Sequence, residues 1–270
     1  MGKSNQSTQE INSQAQNPLG TAPVGGLIAK FAIPAIISML VSAMYNIVDQ
    51  IFIGQGVGML GNAATNVAFP VTTIATALAL LLGIGGASNY NLEMGAGQEK
   101  KASGIAGTAL SSLVISGLIL AVIALVFLKP LLTLFGATTD VMPYAVDYTG
   151  ITALGLPFYI LSVGGNHVVR ADRSPTYSMT CIMIGAIINT ILDPVFIFVF
   201  GWGIKGAAWA TVIGQVVSGV LVIVYFWKFR NMYLTGAMLK PKMPYLKAII
   251  SLGLASCINQ IAMAIVQIVL

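Results

Sequence analysis

Charge is scarce in this chain. Only 8% of its 270 residues are Asp, Glu, Lys or Arg, and there are eight carboxylates and one histidine in all. A water-soluble fold needs a charged surface, so this shortage, with 57% hydrophobic residues, excludes an ordinary soluble globule. Cysteine is nearly absent too. Cys181 and Cys257 each lie alone in an apolar run, without a CxxC partner or a neighbouring His cluster. They read as free, buried thiols rather than a disulfide or metal site. There is no HExxH, no Walker loop, and no GxGxxG followed by an acid. The Gly83, Gly85, Gly86 group sits inside an apolar run, where a phosphate-binding loop does not form. No aromatic-basic module accompanies the net charge of +5, so no nucleic-acid partner is expected.

What remains is a series of long apolar runs, at a mean hydropathy of +0.88. Crossing the hydrocarbon core takes about 20 helical residues. Seven runs qualify: 27–53, 65–92, 104–128, 143–169, 176–200, 207–227 and 246–270. The connections between them carry Gly, Pro and charge. The third run is almost featureless and is expected to face lipid on one side. Residues 1–24 are rich in Gln, Asn and Ser and lack an apolar core, so they read as a disordered cytosolic tail rather than a signal peptide.

Lys and Arg set the orientation. With the N-terminus in the cytosol, eleven of the thirteen fall on the inner side and only Lys129 and Lys205 on the outer. The basic pI then needs no polyanionic partner. Six runs return the chain to the cytosol before a basic loop leads to the seventh. The expected fold is an all-α integral membrane protein: a six-helix lobe over 25–228, an inter-lobe loop over 229–245, and the first helix of a truncated second lobe over 246–270. A shift of 221 residues places Ile37 on Ile258, Ala43 on Ala264 and Asn46 on Gln267, which is weak evidence of a parallel repeat.

Two carboxylates lie inside the apolar runs, Asp49 in the first and Asp193 in the fifth. A charge at mid-bilayer costs roughly 2.5–3.5 kcal/mol on insertion scales, so such groups mark ion or substrate paths. In the first run, Ser38, Ser42, Asn46 and Asp49 recur at helical spacing. The serines and asparagine could simply join helices; a carboxylate is not needed for that. In the fifth, Asn189 and Asp193 share a face, and Pro194 disturbs the helix beside them. This is either an oxygen-rich cation site or a hydrogen-bonded Asn–Asp pair in a kinked helix. Thr211, Gln215 and Ser218 line one face of the sixth run. Counting 1.5 Å per residue from the turn between the fifth and sixth runs puts Asp193 about 12 Å and Thr211 about 7 Å deep. Asp49 is also near the outward end of its run, so these groups could meet. Two carboxylates that meet need a shared proton or a cation between them.

Other polar residues are less pointed. Asn66, Thr73 and the glycines of the second run fit either close packing or a cavity wall. His167 is an interfacial hydrogen-bonder or a proton relay. Asp172 or Ser174 is expected to cap the helix after the basic turn Arg170–Pro175.

The stretches Ile33-Pro34-Ala35, Tyr45 through Gly54, Asn66-Val67-Ala68-Phe69-Pro70, Arg170-Ala171-Asp172, Leu192-Asp193-Pro194 and Gly203 through Thr211 together resemble Multidrug And Toxic compound Extrusion (MATE) transporters. The resemblance covers residue 27 to the end. It implies a twelve-helix, two-lobed antiporter that is not an enzyme. Such a protein exports cationic amphipathic drugs or organic cations on an inward Na⁺ or H⁺ gradient. It implies a coupling-cation site at Asp49, Asn189, Asp193 and Thr211, with Asn46, Ser42, Asn66, Thr73 and Gln215 as possible cavity-lining residues. No cofactor is implied beyond the coupling ion, which could be Na⁺ at those four residues. The expected partners are the drugs and membrane lipid, with a monomer at full length in a prokaryotic cell membrane. Arg173 departs from the pattern, standing where the family usually has Gly. Two other readings stay open: a lipid-linked saccharide flippase of related architecture, and a membrane-embedded aspartyl enzyme.

Overall fold

The computed structural model describes residues 23–227 and 236–269. Most of the expected tail, 1–22, and part of the inter-lobe loop, 228–235, therefore lie outside the described residues. In hydrocarbon every backbone N–H and C=O must be satisfied within the segment, so apolar runs of this length become helices. Seven helices among the described residues are long and apolar enough to cross a membrane. In chain order the helices are α1 (Val24–Gly56), α2 (Met59–Gly95), α3 (Glu99–Val126), the short α4 (Leu128–Leu134), α5 (Met142–Ala171), α6 (Pro175–Pro194), α7 (Ile204–Trp227) and α8 (Met243–Val269).

The boundaries differ from the sequence reading where helices continue through residues taken as connections. Residues 54–64 reduce to a turn at Val57 and Gly58, the latter at φ 85°, because α2 starts at Met59. The connection after α3 contains α4, and α8 begins at Met243 rather than 246. The fifth run does not stay α-helical to 200. At Pro194, which lacks an N–H, α6 passes into a π turn over Val195–Val199.

α5 is the centre of the lobe, packed on α2, α3 and α7; α6 packs on α7, and α8 lies along α2. α1 rests chiefly on α6, with few approaches to α2 and α7. α3 exposes Ile115, Leu118, Ile119 and Val122 on one side, the expected lipid face. Lipid tails supply no hydrophobic drive between helices, so close approach of backbones does the joining. A Cβ at Gly83 would sit 2.5 Å from Gly164 Cα, and one at Gly253 would strike the backbone of Leu81. These two contacts seat α2 against α5 and α8. Asn89 Nδ2 adds a bond to Ala248 O at 3.0 Å.

The α5–α6 turn is held differently from the sequence expectation. Neither Asp172 nor Ser174 caps α6 with its side chain. Asp172 is buried instead, at 1% exposure. Its Oδ1 accepts from the Tyr90 hydroxyl of α2 at 2.8 Å, and its Oδ2 from the Tyr225 hydroxyl of α7 at 2.7 Å. A buried carboxylate needs several donors, and here two helices supply them. Arg173, next in the turn, has φ 61°, in the left-handed region that glycine fills at no steric cost. The departure from the family's glycine is therefore a point of backbone strain.

Two predictions follow from this turn. Tyr90→Phe or Tyr225→Phe should each lower stability by roughly 1.5–3 kcal/mol, the range for a hydrogen bond to a charged group, measured by denaturation in detergent. Arg173→Gly should raise the melting midpoint by about 2–4 °C, from relief of roughly 1 kcal/mol of strain.

Candidate cation site

α6 and α7 cross at two glycines. A Cβ at Gly214 would lie 2.8 Å from Gly185 O and 3.2 Å from Asn189 Cβ. Without side chains at the crossing, the residues one turn further along each helix are drawn together. Asn189 Nδ2 reaches Thr211 Oγ1 at 3.5 Å and Asp193 Oδ1 at 3.4 Å. α1 lies against α6 and adds Asp49, whose carboxyl neighbours that of Asp193. The structure thus brings Asp49, Asn189, Asp193 and Thr211 into one cluster.

The cluster is buried. Asp193 is 0% exposed, Asn189 3% and Asp49 7%. Asp49 Oδ1, Asp193 Oδ2 and Asn189 Oδ1 are buried and have no hydrogen-bond partner. Unpaired buried oxygens are costly, and three of them with one hydroxyl make a hard, oxygen-only donor set suited to Na⁺ or a shared proton. Two carboxylates in contact here need such a cation.

Two tyrosines belong to the same cluster and escaped the sequence reading. Tyr148 on α5 lies near Thr211 and Asp49. Tyr45 on α1 lies near Asp49, Tyr148 and Tyr159. The available signal was their spacing: Tyr45 is one turn before Asp49, on the stripe Ser38, Ser42, Tyr45, Asp49.

The remaining expectations divide. Ser42 and Gln215 line a cavity of about 470 Å³ between α1, α5, α6 and α7, as do Asn189 and Thr211. Asn46 does not; it is exposed, bonds back to Ser42 O at 2.7 Å, and borders a shallow groove with Gln50 and Asn62. It is rotated about 100° from Tyr45 and so leaves the inward stripe. Asn66 is exposed, and Thr73 is buried in α2 away from this cavity. α2 turns those positions elsewhere because it packs chiefly on α5, α8 and α3, with few approaches to α1. His167 lines the cavity at its far end, beside Arg170. Cys181 is buried and free; Cys257 is free and partly buried.

The family model MatE matches residues 34–195. The chain belongs to the MatE family. It is 28% identical over 240 residues to the multidrug export protein MepA of Staphylococcus haemolyticus, a match covering 88% of this chain and 53% of that protein. It is 33% identical over 215 residues to an FAD transporter of Shewanella oneidensis, covering 76% and 47%. Among solved structures, it matches a multidrug resistance MATE family transporter in an outward-facing conformation at TM-score 0.81 and 30% identity, over 88% of this chain and 53% of that one. A MATE in a bent conformation matches at TM-score 0.81 and 29% identity, with the same coverage. The chain spans about half the length of the relatives it matches. The resemblance drawn from Asp49, Asp193 and their flanking motifs therefore named the family that the comparisons show.

The crossing gives a direct test. Gly214→Val should separate α6 from α7 and lower stability by about 1–3 kcal/mol, the usual cost of overpacking, read as an earlier thermal midpoint. Gly214→Ala should cost less than Gly214→Val.

Proposed function

We propose that this chain is the cation-coupling lobe of an efflux antiporter that exports cationic amphipathic compounds in exchange for Na⁺ or H⁺. The observation that carries the reading is the Asp49–Asp193 contact with its unpartnered oxygens. Each carboxylate is expensive in an apolar helix, and the pair becomes affordable only when a cation neutralises it. Binding the cation holds α1 to α6 through Asp49 and Asp193; losing it leaves two like charges at the contact that carries most of α1's packing. That is a coupling free energy between ion occupancy and helix position. The MatE membership and the MepA relatives support multidrug export as the process coupled to it. On this reading the N-terminus and the Arg170–Pro175 turn face the cytosol of a bacterial or archaeal cell. A second, homologous lobe completes a monomeric transporter, with lipid around it and no cofactor.

One observation favours a second substrate class. Arg170 and His167 stand in the same cavity, and a relative at 33% identity is an FAD transporter. An anionic nucleotide would find its counter-charge at Arg170, whereas an organic cation would be drawn to the acids.

The test uses vesicles holding the full-length protein. Ethidium efflux should follow an imposed Na⁺ or H⁺ gradient, and Asp193→Asn should abolish it while membrane insertion is unchanged. Gradient-driven efflux at the parental rate in Asp193→Asn would overturn the site. Transport of FAD with ethidium ignored would replace the cationic substrate by the anionic one.

A further inference from the structure

The two halves of α3 are covered differently. Its second half shows Ile115, Leu118, Ile119 and Val122 to lipid, whereas every residue from Ala102 to Leu110 is buried. α2 and α5 supply part of that cover, and the chain leading into α8 supplies another part. A short 3₁₀ turn, Gly236–Leu239, lies on α3. Lys242 N donates to Thr108 Oγ1 at 3.4 Å, and a Cβ at Gly104 would strike the Tyr245 ring. Lys100, Gly104 and Thr108 are successive turns of one stripe along α3. At helical spacing the same stripe continues into Ile115, Ile119 and Val122, the lipid face. At this end of α3 the segment 236–245 therefore takes the place that lipid takes further along it.

The outward side of that segment carries charge and apolar side chains together. Lys100, Lys240 and Lys242 are exposed, and among the described residues none of them has an ion-pair partner. The Lys242 ammonium stands over the Tyr245 ring, 5.5 Å from its centre, which holds it beside the α3 stripe. Leu239 and Met243, flanking the two lysines in sequence, are 47% and 69% exposed. Of the neighbouring carboxylates, Glu93 is taken by Lys101 at 2.7 Å. Glu99 is rotated about 100° from Lys100 around the helix. Positive charge in excess, beside exposed apolar side chains at the ends of membrane helices, suits a ligand with an anionic head and an apolar tail. A small soluble anion would make no use of Leu239 and Met243.

We propose that Lys100, Lys240 and Lys242 form a binding site for the headgroup of an anionic phospholipid, whose acyl chains pass Leu239 and Met243 toward the lipid face of α3. On the orientation given under the proposed function the leaflet is the cytosolic one; nothing else in the inference rests on that function. The long apolar stems of the lysines let their ammonium groups reach the headgroup level. A phosphodiester there joins charges from two elements far apart in sequence, the first turn of α3 and the approach to α8. It thereby holds the segment 236–242 against α3. The site is separate from the acid pair, which lies where α1 meets α6.

Native mass spectrometry of the full-length protein, titrated with dioleoyl phosphatidylglycerol or dioleoyl phosphatidylcholine, tests the site. The first phosphatidylglycerol should bind about tenfold tighter than the first phosphatidylcholine. Lys240→Gln with Lys242→Gln should erase that preference and leave phosphatidylcholine binding within about twofold of the parent. Lys240→Arg with Lys242→Arg should keep it. Lys30→Gln, at an exposed position on α1, a helix packed chiefly on α6, should also keep it. Equal affinity for the two lipids overturns the site, as does a preference that survives the paired Gln substitutions. Loss of the preference in the Arg pair, or in Lys30→Gln, would equally overturn it, because the three lysines would then not be acting as a local charge site. Displacement of phosphatidylglycerol by millimolar glycerol 3-phosphate would make this a free-anion site and overturn the lipid. No transport is measured, so failure here leaves the acid pair in place, and absence of gradient-driven efflux leaves the lipid site in place.

Discussion

Two negative charges in contact inside a bilayer cannot stand alone. Asp49 and Asp193 are buried neighbours, and among the described residues no cationic side chain is paired with either. The remainder of the lobe is arranged around that constraint. The glycine crossing of α6 and α7 brings Asn189 and Thr211 to the pair, the π turn after Pro194 ends α6 just beyond it, and Ile53 and Ile197 seal one side. Hard oxygen donors without partners are what an ion with a readily shed hydration shell requires.

The lobe divides by the way its helices are joined. α2, α5 and α7 are tied at one end through Asp172 and along their lengths by backbone contacts at Gly83 and Gly164. α1 has few neighbours besides α6. α1 is thus the helix least tied to the rest of the lobe among those that carry the acid pair.

Much of this was legible in the sequence because charge is so rare in it. Asp49 and Asp193 stood out against apolar runs, and Asn189 and Thr211 followed from helical spacing and depth. Tyr45 and Tyr148 did not stand out, since an uncharged aromatic is ordinary in a membrane helix. The inward stripe of α1 was misplaced for a related reason. Both 45 and 46 fit a step from Ser42, and polarity favoured Asn46; packing against α6 turns Tyr45 inward. Asn66 and Thr73 lie outside the cavity beside the acid pair, and their faces depend on which helix α2 meets, a tertiary fact. Asp172 looked like a cap by position, and only Tyr90 and Tyr225, 82 and 53 residues away, reveal its use.

Those separations bear on how the lobe is made. When the α5–α6 turn leaves the ribosome, Tyr90 is already in place but Tyr225 has not been synthesised. The Asp172 carboxylate must stay hydrated at the membrane surface until α7 arrives. Its withdrawal from water is thus timed by translation, and the lobe gains its final closure only after its last helix has been inserted.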